Sequence, residues 1–158
     1  MATVVETFAI EGIEGYRVEI EASSIKGVPN LSIVGLPDQS IKESGDRVES
    51  AMSYCGYKFP ATRLIVNLAP SDTKKRGSHY DLGIAIALLL ETGQIELRTD
   101  TRFAFIGELS LNGNLRPVNG ILPMIIEAKR SGISDVIVPR ENAQEAMLVG
   151  SGLYRGRG

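Results

Sequence analysis

The alternation of apolar and polar side chains organises the first part of the chain. Residues 3–10 are rich in Val, Thr and Phe and predict a strand. Between residues 16 and 22, Tyr16, Val18, Ile20 and Ala22 alternate with Arg17, Glu19 and Glu21, the period of a strand with one solvated face. Residues 31–36 predict a third strand, and these three are expected to pair as an antiparallel sheet. The period then changes. Ile41, Val48, Met52 and Cys55 fall on one helical face. Lys42, Glu43, Asp46, Arg47, Glu49 and Ser50 fall on the other, which predicts an amphipathic helix with a solvated charged face. Ser40-Ile41-Lys42-Glu43 has capping-box spacing, and Gly56 suits a helix stop. Cys55, on the apolar stripe, is expected to be a small core residue.

Residues 62–68 predict another strand. Residues 81–92 predict a helix that is apolar on nearly every side, hence the central buried one. Before it lies the polar segment APSDTKKRGSHY, residues 69–80, in which Ser78 and Asp81 have the spacing of a second helix cap. A strand is predicted over 103–111. Asn112-Gly113 has the composition of a type I′ hairpin turn, and Pro117, which cannot donate to a ladder, predicts that the return strand lies at a sheet edge or ends there. A helix over 120–131, with Pro123 in its first turn, a buried strand over 135–138 and a short helix over 141–149 follow. Residues 151–158 show no periodicity and read as a linker or truncated end, leaving one expected domain over 1–150.

Composition narrows the function. The formal charge of −2 argues against a general polyanion binder, so any nucleic-acid contact must be local. Lys74-Lys75-Arg76 is the only run of three like charges and is the candidate for contacting a phosphate backbone, with Gly77 allowing the loop to move. The single Cys55 fits a reducing compartment. The start MATVVETF lacks signal-peptide character, and the apolar run 82–90 is too short to span a bilayer. A cytoplasmic protein with no membrane partner is therefore expected. Ser71, Asp72, Ser78, His79 and Asp81 supply the residue types of a hydrolytic triad, but they crowd into a few positions and no nucleophile elbow is present. One His and one Cys give no metal-ligand spacing. No lysine follows a glycine, so there is no Gly-Lys-Ser/Thr phosphate loop, and no cofactor is expected in this chain.

Several motifs together are more specific than any one of them. Val-Gly-Leu-Pro at 34–37, Lys-Glu-Ser-x-Asp-Arg-Val at 42–48, Asn-Leu-Ala-Pro-Ser-Asp at 67–72 and Tyr-Asp-Leu-Gly-Ile-Ala-Ile-Ala-Leu at 80–88 resemble the N-terminal domain of the ComM/YifB, or magnesium-chelatase-like, family. GELSLNGNLRPVNG at 107–120, followed by DVIVPREN at 135–142, resembles the second signature of the Lon-protease-like domain. The resemblance implies an α/β (α+β) fold of the ribosomal protein S5 domain 2-like, Lon-protease-like type, a mixed sheet with helices packed on one side. It implies a downstream AAA+ module that holds ATP and Mg, a homo-oligomer, a hexamer in full-length members, and work on single-stranded or branched DNA during uptake and recombination.

The Lon resemblance also carries a chemical test. Setting Asp81-Leu82-Gly83-Ile84 against the Lon Ser-Ala-Gly-Ile places Asp81 where the serine nucleophile stands. The corresponding match at 119–124 places Met124 where the Lon lysine stands. A carboxylate is a poor acyl acceptor and a thioether cannot take a proton. Both positions of the dyad are degenerate, so no catalytic residue is expected, and Asp81 is expected to cap its helix. The expected function is a non-catalytic accessory domain of an AAA+ DNA motor, aiding assembly or guiding DNA. The alternatives are a pure protein-interaction module and a Lon-like peptidase, for which Ser78 is the nearest nucleophile.

Overall fold

The computed structural model describes residues 3–98, 100–147 and, for the backbone alone, 154–157. Strands β1 (Thr3–Glu11) and β2 (Glu14–Ile25) form a long antiparallel hairpin, paired from Thr3–Ala22 to Glu11–Glu14. After β3 (Asn30–Val34) come α1 (Gln39–Lys42), α2 (Ser44–Tyr54) and β4 (Arg63–Ala69). Next are α3 (Asp81–Glu91), β5 (Phe103–Phe105) and a separate small hairpin of β6 (Glu108–Leu109) and β7 (Leu115–Arg116). The chain continues through α4 (Ile121–Arg130), β8 (Asp135–Pro139), a 3-10 turn, α5 (Ala143–Met147) and β9 (Tyr154–Arg157).

The main sheet has the order β3-β4-β2-β1-β5-β8-β9. It is mixed: β2 is antiparallel to β1 and β4, whereas β3–β4, β1–β5, β5–β8 and β8–β9 are parallel. The third strand therefore does not extend an antiparallel sheet from β2. The strand between them is β4, whose Leu64, Val66 and Leu68 are fully buried; β3, with half-buried side chains, takes the edge. The segment read as an irregular end contributes Tyr154–Arg157 to the opposite edge, while 148–153 and 158 lie outside the described residues.

Alternate residues of the strands feed two cores. Val18, Ile20, Ala22, Leu64, Val66 and Leu68 pack with Val48 and Met52 of α2 and Ile84 and Leu88 of α3. Phe8, Ala104, Ile106, Val136 and Val138 point the other way, onto Ile121, Met124, Ile125 and Ala128 of α4. Helices thus lie on both faces rather than on the one expected. Two glycines allow the close approach. A Cβ on Gly83 would sit 2.5 Å from Ile20 Cδ1, on the α3 side, and one on Gly15 would sit 2.4 Å from the Pro123 carbonyl oxygen, on the α4 side.

Local chemistry differs from expectation at four places. Asp38, not Ser40, caps the first helix, because the chain already turns there and Asp38 Oδ1 accepts the Ile41 N–H at 2.9 Å. Cys55 lies one residue past the last helical turn and is exposed, not a core residue. The 103–111 segment breaks at Gly107, whose backbone bonds to both sides of the α3 start: its N–H donates to the His79 carbonyl and its carbonyl accepts the Leu82 N–H. Only Gly113 of the Asn-Gly pair has positive φ, so the turn is a five-residue loop tied by Ser110 and Asn112 side chains rather than a type I′ turn.

Gly15→Ala should lower stability by about 1–3 kcal/mol, because the new methyl meets backbone that cannot swing aside. A urea midpoint equal to that of the native protein would show that α4 is not seated on β2.

Candidate functional site

Three of the sequence motifs meet at the start of α3. The first fixes the polar loop. The Lys75 N–H donates to the Leu36 carbonyl and the Asp38 N–H to the Lys75 carbonyl, both at 3.0 Å, and the Gly77 N–H donates to Asp38 Oδ2 at 3.0 Å. Gly77, which has positive φ, is therefore part of a pinned loop rather than a hinge. Lys75 is fully buried, its ammonium donates to the Pro70 carbonyl, and burial lowers its pKa. The expected basic patch thus loses its middle member. Lys74 and Arg76 are exposed and line a cleft of about 550 Å³ together with Glu11 and Asp72, so the surface there carries both signs.

The second convergence is at Asp81. Its side chain is entirely buried, and four donors reach it. Ser44 Oγ donates to Oδ1 at 2.6 Å and Arg47 Nη2 to the same oxygen at 3.1 Å. Arg47 Nε donates to Oδ2 at 2.7 Å, and the Leu109 N–H donates to Oδ2 at 3.1 Å. Arg47 Nη2 also donates to the Ser40 carbonyl at 2.7 Å. Every partner is a donor, so the group is an ionised carboxylate. Burial pushes the Asp81 carboxyl above its ordinary value, while Arg47, Ser44 and Leu109 pull it back. The hydrogen bond to Asp81 holds the Arg47 guanidinium above its usual range. Asp81 is thus not a helix cap. It sits in the first turn of α3 and ties that helix to α2 and to β6.

Arg47 is the residue that sequence reasoning missed, since its helical position placed it on the solvated face. A signal was present: an acidic residue beginning an otherwise apolar helix needs a cation when buried.

Met124 does not share this network. It is 1% exposed and packs in the core on the α4 face. It also lines a cleft of about 440 Å³ with Ser78, His79, Glu108, Arg76 and Asn119. Ser78 Oγ there donates to Glu108 Oε1 instead of capping α3. His79 is buried, its ring 4.2 Å from that of Tyr80, and its Nε2 has no hydrogen-bond partner among the described residues. Burial lowers its pKa to about 4. No group of three or more His, Cys, Asp and Glu gathers to hold a metal among the described residues, and no described helix is long and apolar enough to cross a membrane.

The segments that converge here coincide with a known family. A family model described as "Subunit ChlI of Mg-chelatase" matches residues 18–142, which include Ser44, Arg47, Asp81 and Leu109. The chain belongs to this family. It is similar to the Competence protein ComM of Haemophilus influenzae, 40% identical over 146 residues, 92% of this chain and 28% of that protein. It is similar to the uncharacterised protein YifB of Escherichia coli, 40% identical over 147 residues, 93% of this chain and 29% of that protein. A Lon protease of Aquifex aeolicus is 33% identical over 145 residues, 85% of this chain and 18% of the protease. The chain thus spans under a third of the length of these curated relatives, and the likeness to Lon proteases agrees with the mixed α/β architecture of this family member.

Arg47→Met and Asp81→Leu should each cost about 3–5 kcal/mol, and the double variant less than the two added, because each single change strands a buried charge. A double-mutant cycle in urea with no coupling would refute the pairing. For His79 the folded pKa lies below the ordinary histidine value of about 6.5. The unfolded chain therefore binds the proton first, and stability present above about pH 6.5 falls as pH drops toward 4, by about 3 kcal/mol. Urea midpoints across that window should fall less steeply in His79→Gln; parallel profiles would contradict the assignment.

Proposed function

We propose that this chain is a non-catalytic accessory domain of an AAA+ ATPase of the ComM/YifB type. ATP and Mg belong to a separate module of such a protein, and this domain serves its homo-oligomeric assembly and the guidance of single-stranded or branched DNA in uptake and recombination. The observation that carries the proposal is Asp81. At the position the resemblance aligns with the Lon serine, the chain holds a carboxylate whose oxygens are occupied by Ser44, Arg47 and Leu109. An anion held this way has neither a nucleophile's proton to give nor freedom to move. Met124 supplies no base. The ComM relative is named a competence protein, which fits a role with DNA.

Lys74 and Arg76 are the residues proposed to touch phosphates. A second reading, a protein-interaction module without DNA contact, is favoured by the burial of Lys75 and by Glu11 and Asp72 beside the two exposed cations.

Fluorescence anisotropy with single-stranded and branched DNA at low salt separates the two. Lys74→Ala/Arg76→Ala should weaken binding and reduce the slope of log affinity against log salt by about 1.4 for a single strand. Identical binding by native and variant protein would remove DNA guidance through this loop. Turnover of a fluorogenic peptide that disappears in Ser78→Ala would overturn the non-catalytic reading.

A further inference from the structure

Among the described residues, β3 stands at the sheet edge with none of the usual blunting residues inside its own five positions. Its sequence, Asn30-Leu31-Ser32-Ile33-Val34, carries no charge, no proline and no positive-φ residue. Exposed edges of soluble proteins are usually blunted by one of these devices. The backbone register shows which groups are open. The Asn30 N–H donates to the Thr62 carbonyl, beside its partner Arg63 on β4. In a parallel pair the bonding residues alternate, so Asn30, Ser32 and Val34 face β4, and the N–H and C=O of Leu31 and Ile33 point out from the sheet.

We propose that β3 pairs antiparallel with β3 of a second copy of this chain, about a two-fold axis at Ser32. The register follows from the outward groups. With Ser32 opposite Ser32 of the second copy, Leu31 lies opposite its Ile33, and Ile33 opposite its Leu31. Both are residues with free outward donors and acceptors, so four hydrogen bonds close between them. The same register sets the flanks. Val34, 44% exposed, comes to the level of Asn30 of the second copy. The side chains of Leu31 and Ile33 lie on the α2 side, where Leu31 Cδ2 comes within 3.2 Å of the point a Cβ on Gly45 would take. Ser32 lies on the other face, away from α2. The strand is thus self-complementary in hydrogen bonding and in the absence of like charges, as an isologous contact requires. It would join two seven-stranded sheets into one continuous sheet. The inference is independent of any contact with DNA.

Ser32 is the point at which to test it, because its side chain lies outside the α2–α3 core and meets its own copy at the axis. Sedimentation velocity over a concentration series should show the native chain forming a dimer. Ser32→Lys and Ser32→Asp should each weaken the dimer by about tenfold or more, by placing like charges face to face. An equal mixture of the two variants should dimerise again. In a Cys55→Ser background, Ser32→Cys should cross-link on mild oxidation, since a non-hydrogen-bonded antiparallel pair sets the Cα atoms about 4.5 Å apart, within the range of a disulfide. Far-UV circular dichroism checks that each variant is folded. A native chain that stays monomeric throughout, or a dimer indifferent to both charges and not cross-linked at position 32, would overturn the proposal.

Discussion

A buried carboxylate has to be neutralised where it stands, and Asp81 is neutralised by residues from two other elements. Arg47 and Ser44 come from α2, and the Leu109 amide from β6. An isolated charge in the interior would cost several kcal/mol, so α2, α3 and β6 cannot separate without exposing a large penalty. That constraint places α2 beside α3, which lies over β1 and β2. It also holds the β6–β7 hairpin against the start of α3. The three segments involved carry the motifs Lys-Glu-Ser-x-Asp-Arg-Val, Tyr-Asp-Leu-Gly and Gly-Glu-Leu-Ser, far apart in sequence and joined at one pair of oxygens.

The same logic extends to the loop ahead of α3. Asp38 uses one oxygen to cap α1 and the other to hold Gly77. Lys75 crosses between them, bonded through its backbone and buried through its side chain. A segment that reads in sequence as a basic loop tip is in space a strap laid across the α1 start. Its exposed cations are Lys74 and Arg76, beside the acidic Glu11 and Asp72. At the start of α3 the ion pair of Arg47 with Asp81 acts as a joint between two helices.

Much of the architecture was legible from patterning. The alternation of Val18, Ile20 and Ala22 with charged residues gave β2, and the all-apolar run after Asp81 gave the central helix α3, because these periods reflect burial directly. The place of β3 was not legible. Strand order depends on which strand is more apolar on both neighbours' terms, and β4 displaced β3 from the position beside β2. The second helical layer followed from Gly15, whose missing Cβ admits α4, and one glycine in a turn-rich stretch gives no such notice. At the site, Asp81 was conspicuous but its partners were not. Arg47 belongs to a face that periodicity assigns to solvent, and its target is 34 residues away. Long-range pairing of polar groups leaves no periodic trace.

The Asp81 carboxylate joins α2, α3 and β6 into one cooperative unit. Amide hydrogen exchange at Leu109 tests it most directly, since that N–H is held by Asp81 Oδ2 rather than by a strand partner. Protection of Leu109 should equal that of the α3 core amides and be lost together with them in Asp81→Asn. Exchange of Leu109 as fast as that of the exposed hairpin amides in the native protein, with α3 still protected, would contradict it.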